Sequence, residues 1–228
     1  MSTAVKERPI LFSAPMVRAI LSGDKTQTRR IAKDVRHPDL GNVYTPGALV
    51  LEREPQHVIE RACPYGRPGD RLWVRETWGV VSHTWDDDGA MIDWTPDRPA
   101  TKIHELPFGR GYYSGHVIYA ADGSHEWAGD DDGGGEPRSL WHPSIHMPRA
   151  ASRILLEITG VRVERLQDIS DFDAEDEGTR VWAAEVQKNG NKFSSIRSAW
   201  QAMWESINGP DSWQANPWVW VVEFRRIA

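Results

Sequence analysis

Gly23-Asp24-Lys25-Thr26-Gln27-Thr28-Arg29-Arg30 gathers two hydroxyls, an ammonium and two guanidinium groups into one short segment. If the chain is extended there, Thr26, Thr28 and Arg30 project to one side, because strand side chains alternate. Lys25, at the bend, turns toward the same place. That set suits an anion, a nucleotide or an acyl-transfer site; the same spacing also describes a solvated basic turn. A second candidate is the row Leu72, Val74, Glu76 and Trp78, in which a carboxylate continues an apolar face. Glu76 and Trp78 are expected at a pocket mouth, with Trp78 stacked on a pyrimidine, or else as rim packing beside a salt-bridged carboxylate.

Other chemistry-bearing residues are discounted. His142 and His146 have the i, i+4 spacing of metal ligands on a helix, but Pro143 lies between them. Cys63 is the one cysteine, so it forms no intramolecular disulfide, and its proline-rich surroundings suggest a structural thiol. The runs Asp86-Asp87-Asp88 and Asp130-Asp131-Asp132 lack the spaced ligands of a calcium loop and read as solvating charge. No metal is expected.

The elements that must position these groups follow from periodicity and turn signals. Pro9 to Phe12 reads as a strand, and Ser13-Ala14-Pro15 starts a helix that Gly23 closes. Leu49 to Arg53 reads as a strand, as does Arg71 to Trp78 after the turn Arg67-Pro68-Gly69-Asp70. Ser152 to Glu164 alternates as a long strand or bent strand pair. Ser170 caps a short helix running through Glu177, with Asp173 at the reciprocal position and Gly178 as the stop. Ser194 to Ile207 is amphipathic, with Ile196, Trp200, Met203, Trp204 and Ile207 on its buried stripe. Asn216 to Ile227 closes the chain as a strand that is apolar on both faces and so covered on both sides. Dispersed strands with three helices predict an α+β fold: a mixed β-barrel with flanking helices.

The 228 residues are read as one domain interrupted at about 79–140 by an acidic, glycine-rich insertion with at least one strand near Tyr112 to Tyr119. Charge divides the same way. Gly79 to Arg138 holds 12 acidic and 4 basic residues, whereas Met1 to Arg53 holds 9 basic and 5 acidic, so the overall charge of −6 does not argue against a nucleic-acid partner. No apolar run approaches the roughly 20 residues needed to span a bilayer. The polar N-terminus has no signal-peptide core. A cytoplasmic protein without a membrane partner is expected.

The lysine–threonine segment resembles the signature of the ASCH family, a branch of the PUA-like β-barrels. The resemblance continues in Pro68-Gly69-Asp70-Arg71-Leu72-Trp73-Val74, similar to the family's Gly-Asp turn and following strand. It extends to Ile169 through Gly178, similar to the helix bearing the family's acidic residue, and to Trp218 through Phe224, similar to the last barrel strand. Their order matches, and the whole chain resembles the larger phage and prophage members. Small bacterial members remove the acetyl group from N4-acetylcytidine with a lysine, a threonine and a glutamate, which fall here on Lys25, Thr28 and Glu177. The resemblance thus implies a PUA-like (ASCH) barrel and an amidohydrolase for N4-acylated cytosine or cytidine. Thr26, Arg30, Glu76 and Trp78 are expected around a nucleoside or nucleobase substrate, with no cofactor. The family's other implied role is that of a non-catalytic module binding RNA or a modified nucleobase.

Overall fold

A computed structural model describes residues 4–125, 141–188 and 190–228. The first half of the chain carries β1 (Glu7–Leu11), α1 (Ala14–Ser22), β2 (Gln27–Ile31), β3 (Val35–Arg36), β4 (Val43–Tyr44), α2 (Pro46–Leu51), α3 (Gln56–Ala62) and β5 (Arg71–Arg75). Next come β6 (Trp78–Val81), β7 (His83–Trp85), β8 (Met91–Asp93), β9 (Thr101–Phe108) and β10 (Gly111–Tyr119). The chain ends with β11 (Leu155–Arg165), α4 (Asp171–Asp176), α5 (Thr179–Gln187), α6 (Ile196–Asn208) and β12 (Trp218–Arg226). The class is α+β. By internal contacts the chain forms two compact units, one of Met1–Arg8, Arg18–Leu72 and Ile154–Ala228, the other of Pro9–Val17 and Trp73–Arg153.

The first unit is organised by a sheet of order β1-β5-β11-β12-β2, of which β1 and β5 continue into the second unit. Both β1 and β2 are sheet edges, so the described residues form an open sheet where a closed barrel was expected. β12 pairs antiparallel with β11 and with β2, and Val222 faces Thr28 across the second pairing. Val219, Trp220, Val221 and Val222 are all buried, as a strand covered on both sides requires. α6 buries Ala199, Trp200, Met203 and Trp204, but Ile207, expected on that stripe, is 59% exposed in its last turn. Ser195 caps α6, and Ser198 returns the bond.

Two readings are corrected in this unit. The expected strand at Leu49–Arg53 is the end of helix α2 and its exit. Thr45 accepts a hydrogen bond from the Ala48 N–H and Pro46 occupies the first turn, so the entry geometry outweighs the β-favouring Leu-Val-Leu run. Among the described residues six α-helices replace the three expected, the additional ones being α2, α3 and α5, of six to nine residues.

The second unit contains the antiparallel sheet β6-β10-β9 and the hairpin β7-β8. Its core gathers Trp78, Val80, Ile103, Val117, Tyr119, Met147 and Ala151, with Leu106, Phe108 and Tyr113 packed against it. β10 matches the strand expected near Tyr112–Tyr119. The Asp130–Asp132 run lies outside the described residues.

Candidate functional site

The end of α1 and the start of β2 bring Lys25 against the C-terminus of α4. Gly23, with φ +86°, turns the chain out of the helix, and the Lys25 N–H donates to the Ala19 carbonyl. The Thr26 N–H then donates to the Asp176 carbonyl at 2.8 Å, which ties the two segments as an antiparallel bridge between Lys25 and Glu177. On the other segment, Ser170 and Asp173 form the expected capping box and Gly178 leaves α4 at φ +79°. A Cβ on Gly178 would sit 2.7 Å from the Ala19 Cβ and 3.1 Å from the Lys25 Cβ. Glycine is therefore required twice over, for its backbone conformation and for the close approach.

Within this frame the Lys25 ammonium is buried and donates three hydrogen bonds. Its acceptors are the Gln27 carbonyl (2.8 Å), the Glu177 carbonyl (2.8 Å) and Glu177 Oε2 (2.7 Å). The second carboxylate oxygen, Oε1, accepts from Arg29 NH1 at 3.2 Å. The Lys25 and Glu177 side chains are 1% and 5% exposed. Burial pushes the Lys25 amine below its ordinary pKa; Glu177 pulls it back up, and Arg30 and Arg29 push it further down. The net direction is down, because desolvation of the ammonium outweighs its ion pair.

Arg29 joins this pair to a wider cluster. Its Nε and NH2 donate to Glu164 Oε1, and Asp173 lies 3.5 Å from NH2. Arg162 donates to Glu164 and Asp173, and Gln27 Nε2 donates to Asp173 Oδ1. Burial alone would raise the Asp173 carboxyl. Hydrogen bonds from Gln27 and Ser170, with Arg29 and Arg162 nearby, outweigh it and hold this group far below the usual carboxylate range.

The sequence placed Thr26, Thr28 and Arg30 on one face, with Lys25 joining them. In the structure, Gln27 and Arg29, on the alternate positions of β2, share Asp173 and line up with Lys25 at Glu177. Thr28 is buried at 4% exposure, and Arg30 is half-buried and close enough to act electrostatically on Lys25 and Glu177. Thr26 is exposed and contributes its backbone. Arg29, Gln27, Asp173 and Tyr65 were not singled out for roles here. Tyr65, on the loop before β5, is an electrostatic neighbour of Arg30. Arg29 and Gln27 were legible as the alternate positions of the same strand, but only the position of α4 shows that Arg29 reaches Glu177 and Gln27 reaches Asp173.

Glu76 and Trp78 belong to the second unit. Both Glu76 oxygens are taken by Arg153, at 3.0 Å from Nε and 2.9 Å from NH2, and Arg153 also holds Asp122. Trp78 has no exposed surface and packs on Phe108 and His142. That indole is part of a core and has no face open for a base to stack on. His142 bridges Trp78 through the backbone, and among the described residues no group of three or more His, Cys, Asp or Glu is placed to hold a metal. Cys63 is buried, which pushes its thiol up to about 11 and keeps it protonated.

Compared with protein-family models, with curated proteins and with solved structures, the chain finds no match. No described helix is long and apolar enough to cross a membrane.

Proposed function

We propose that the chain is a PUA-like protein of the ASCH type and an amidohydrolase that removes the acyl group from N4-acylated cytosine or cytidine. The observation that carries this reading is the buried 2.7 Å contact between Lys25 Nζ and Glu177 Oε2. Neutralising an ordinary lysine at pH 7 costs roughly 4.6 kcal/mol. Desolvation at Lys25 removes part of that cost. A proton passing from Nζ to Oε2 leaves a neutral amine and a carboxylic acid, which are the base and the acid that amide hydrolysis needs.

From that state the steps balance. Thr28 Oγ1 attacks the acyl carbon while Lys25 takes the hydroxyl proton. Glu177 gives its proton to the exocyclic nitrogen as the C–N bond breaks, and the free cytosine leaves. Water then attacks the acyl-threonine ester, giving one proton to Glu177, while Lys25 returns its proton to Thr28 Oγ1 as the acid departs. Arg29, on the other carboxylate oxygen, sets how far the resting pair leans toward its ionic form.

The test is to incubate the purified protein with N4-acetylcytidine and follow its ultraviolet spectrum. Turnover that disappears in Lys25→Ala, Thr28→Ala and Glu177→Gln is the expected result, with Thr26→Ala less damaging. No turnover on a panel of N4-acyl cytosines, together with salt-sensitive RNA binding, overturns the enzyme and leaves a binding module.

A further inference from the structure

Glu164 stands between two guanidinium groups of the first unit. Val221 of β12 faces Arg162 of β11 on one side and Arg29 of β2 on the other, so the two cations lie in one row across the sheet. Two residues along β11, Glu164 shares that face and bridges them. Its Oε1 accepts from Arg29 Nε (2.9 Å) and NH2 (2.6 Å), and its Oε2 accepts from Arg162 Nε (2.9 Å). Arg162 is held in turn by Asp173, at 2.8 Å, and by Glu223.

These bonds divide the Arg29 charge unequally. Glu164 takes two of them, at 2.9 and 2.6 Å, whereas Glu177 takes one at 3.2 Å and Asp173 lies at 3.5 Å. The Arg29 side chain has no exposed surface, and its guanidinium lies 5.9 Å from the centre of the Trp200 ring on α6, so water does not share its charge. What the other carboxylates leave uncompensated therefore falls on Glu177. An Arg29 charge left whole would hold Glu177 as a carboxylate and oppose proton transfer from Lys25. Glu164 is the better hydrated of the two glutamates, 17% exposed against 5%, and so the one suited to carry the charge.

We infer that Glu164 is a positioning residue for the Lys25–Glu177 pair: by taking the larger share of the Arg29 charge, it leaves Glu177 able to receive a proton from Lys25. This rests on the deacylase reading for what that proton does, and on the hydrogen bonds alone for where it sits. The charged groups around the pair are Arg29 and Arg30 from β2 and Asp173 from α4, with Glu164 and Arg162 from β11 and Glu223 from β12 standing behind Arg29. Were Glu164 there only to keep two guanidinium groups apart, its charge would matter to stability and not to the proton on Lys25.

The experiment follows the nitrogen-15 resonance of the Lys25 amine against pH, together with the pH profile of turnover on N4-acetylcytidine. It compares the full chain with Glu164→Gln, Glu164→Asp and Arg162→Gln, each checked by near-ultraviolet circular dichroism. Removing a negative charge beside the pair makes both of its protons easier to lose. Glu164→Gln should therefore move the Lys25 midpoint and both limbs of the bell-shaped profile down by roughly one pH unit. At the parent's optimum kcat should fall about tenfold, with KM little changed. Glu164→Asp should restore most of both. Arg162→Gln takes a positive charge from behind Glu164 and should move midpoint and limbs up, by less; it carries the test if Glu164→Gln does not fold. Midpoint and limbs that stay at the parent's values in the folded variants overturn the assignment, as does a shift that Glu164→Asp fails to reverse. Turnover separates the two readings. A shifted midpoint in a protein that hydrolyses no N4-acyl cytosine sinks the deacylase and leaves Glu164 in control of the pair, whereas hydrolysis with an unmoved profile sinks the role of Glu164 and leaves the deacylase.

Discussion

Each unit buries a glutamate against a cation, and the two pairs are built for opposite ends. In the second unit, Glu76 is gripped on both oxygens by Arg153, whose guanidinium also holds Asp122 and lies 3.9 Å over the Tyr119 ring. The guanidinium keeps its proton at any working pH, so this pair cannot exchange one. In the first unit, Glu177 splits its oxygens between Arg29 and Lys25. An amine deprived of water gives up its proton far more readily than a guanidinium does. The guanidinium thus locks the Glu76 pair although burial pushes that carboxyl up, whereas burial lowers the amine of the Glu177 pair and makes it the labile one; the identity of the cation decides which.

The largest effect that sharpens this contrast is on rate. Lys25→Ala should lower kcat on N4-acetylcytidine by about 10³-fold or more, read by the spectral change. A smaller loss would place Lys25 outside the proton path. Next is the locked pair: Arg153→Ala leaves Glu76 and Asp122 without their cation and should cost about 3–5 kcal/mol of unfolding free energy in denaturant. A loss under 1 kcal/mol would mean that the pair is solvated and the contrast false.

The third prediction concerns pH. Lys25 has a folded pKa below its ordinary value of 10.5. Between the folded pKa and 10.5 the unfolded chain holds a proton that the folded chain has released. Stability attributable to this group therefore rises with pH across that window, by at most about 1.4 kcal/mol per unit, and falls as pH drops through the folded pKa. Lys25→Met should remove that slope from denaturation curves measured across the window, whereas Arg153→Met should leave it in place. The smallest effect is at the support of Glu177. Ser170→Ala removes the cap of α4 and should cost about 1 kcal/mol.

That cap shows how much of the site was legible beforehand. Ser170, Asp173 and Gly178 announce a short helix and its stop by residue type alone, because capping is local chemistry. The helix at Ala14–Ser22 was legible in the same way, from Pro15 at its start and Gly23 at its end, and the strand at Trp218–Phe224 from its apolar run. What escaped depends on tertiary placement. Gly178 does end α4, but the chain re-enters helix α5 at once, and nothing local distinguishes a stop from a kink. Alternation along β2 correctly separates Thr28 and Arg30 from Gln27 and Arg29, yet it cannot say which face α4 covers. Arg29 was read only as one guanidinium of the basic segment, and its grip on Glu177 came from the packing. Trp78 carried the same apolar signal whether it lined a pocket or filled a core, and the core claimed it.

The contrast between a labile and a locked pair is tested most directly at the Lys25 amine itself. With lysine side chains labelled with nitrogen-15, the Lys25 resonance, assigned by its loss in Lys25→Met, can be followed against pH. The account predicts a midpoint below 10.5 that drops further in Glu177→Gln, where the raising charge is gone. An amine that titrates at or above 10.5 would contradict it, because a lysine held charged by Glu177 cannot serve as the base.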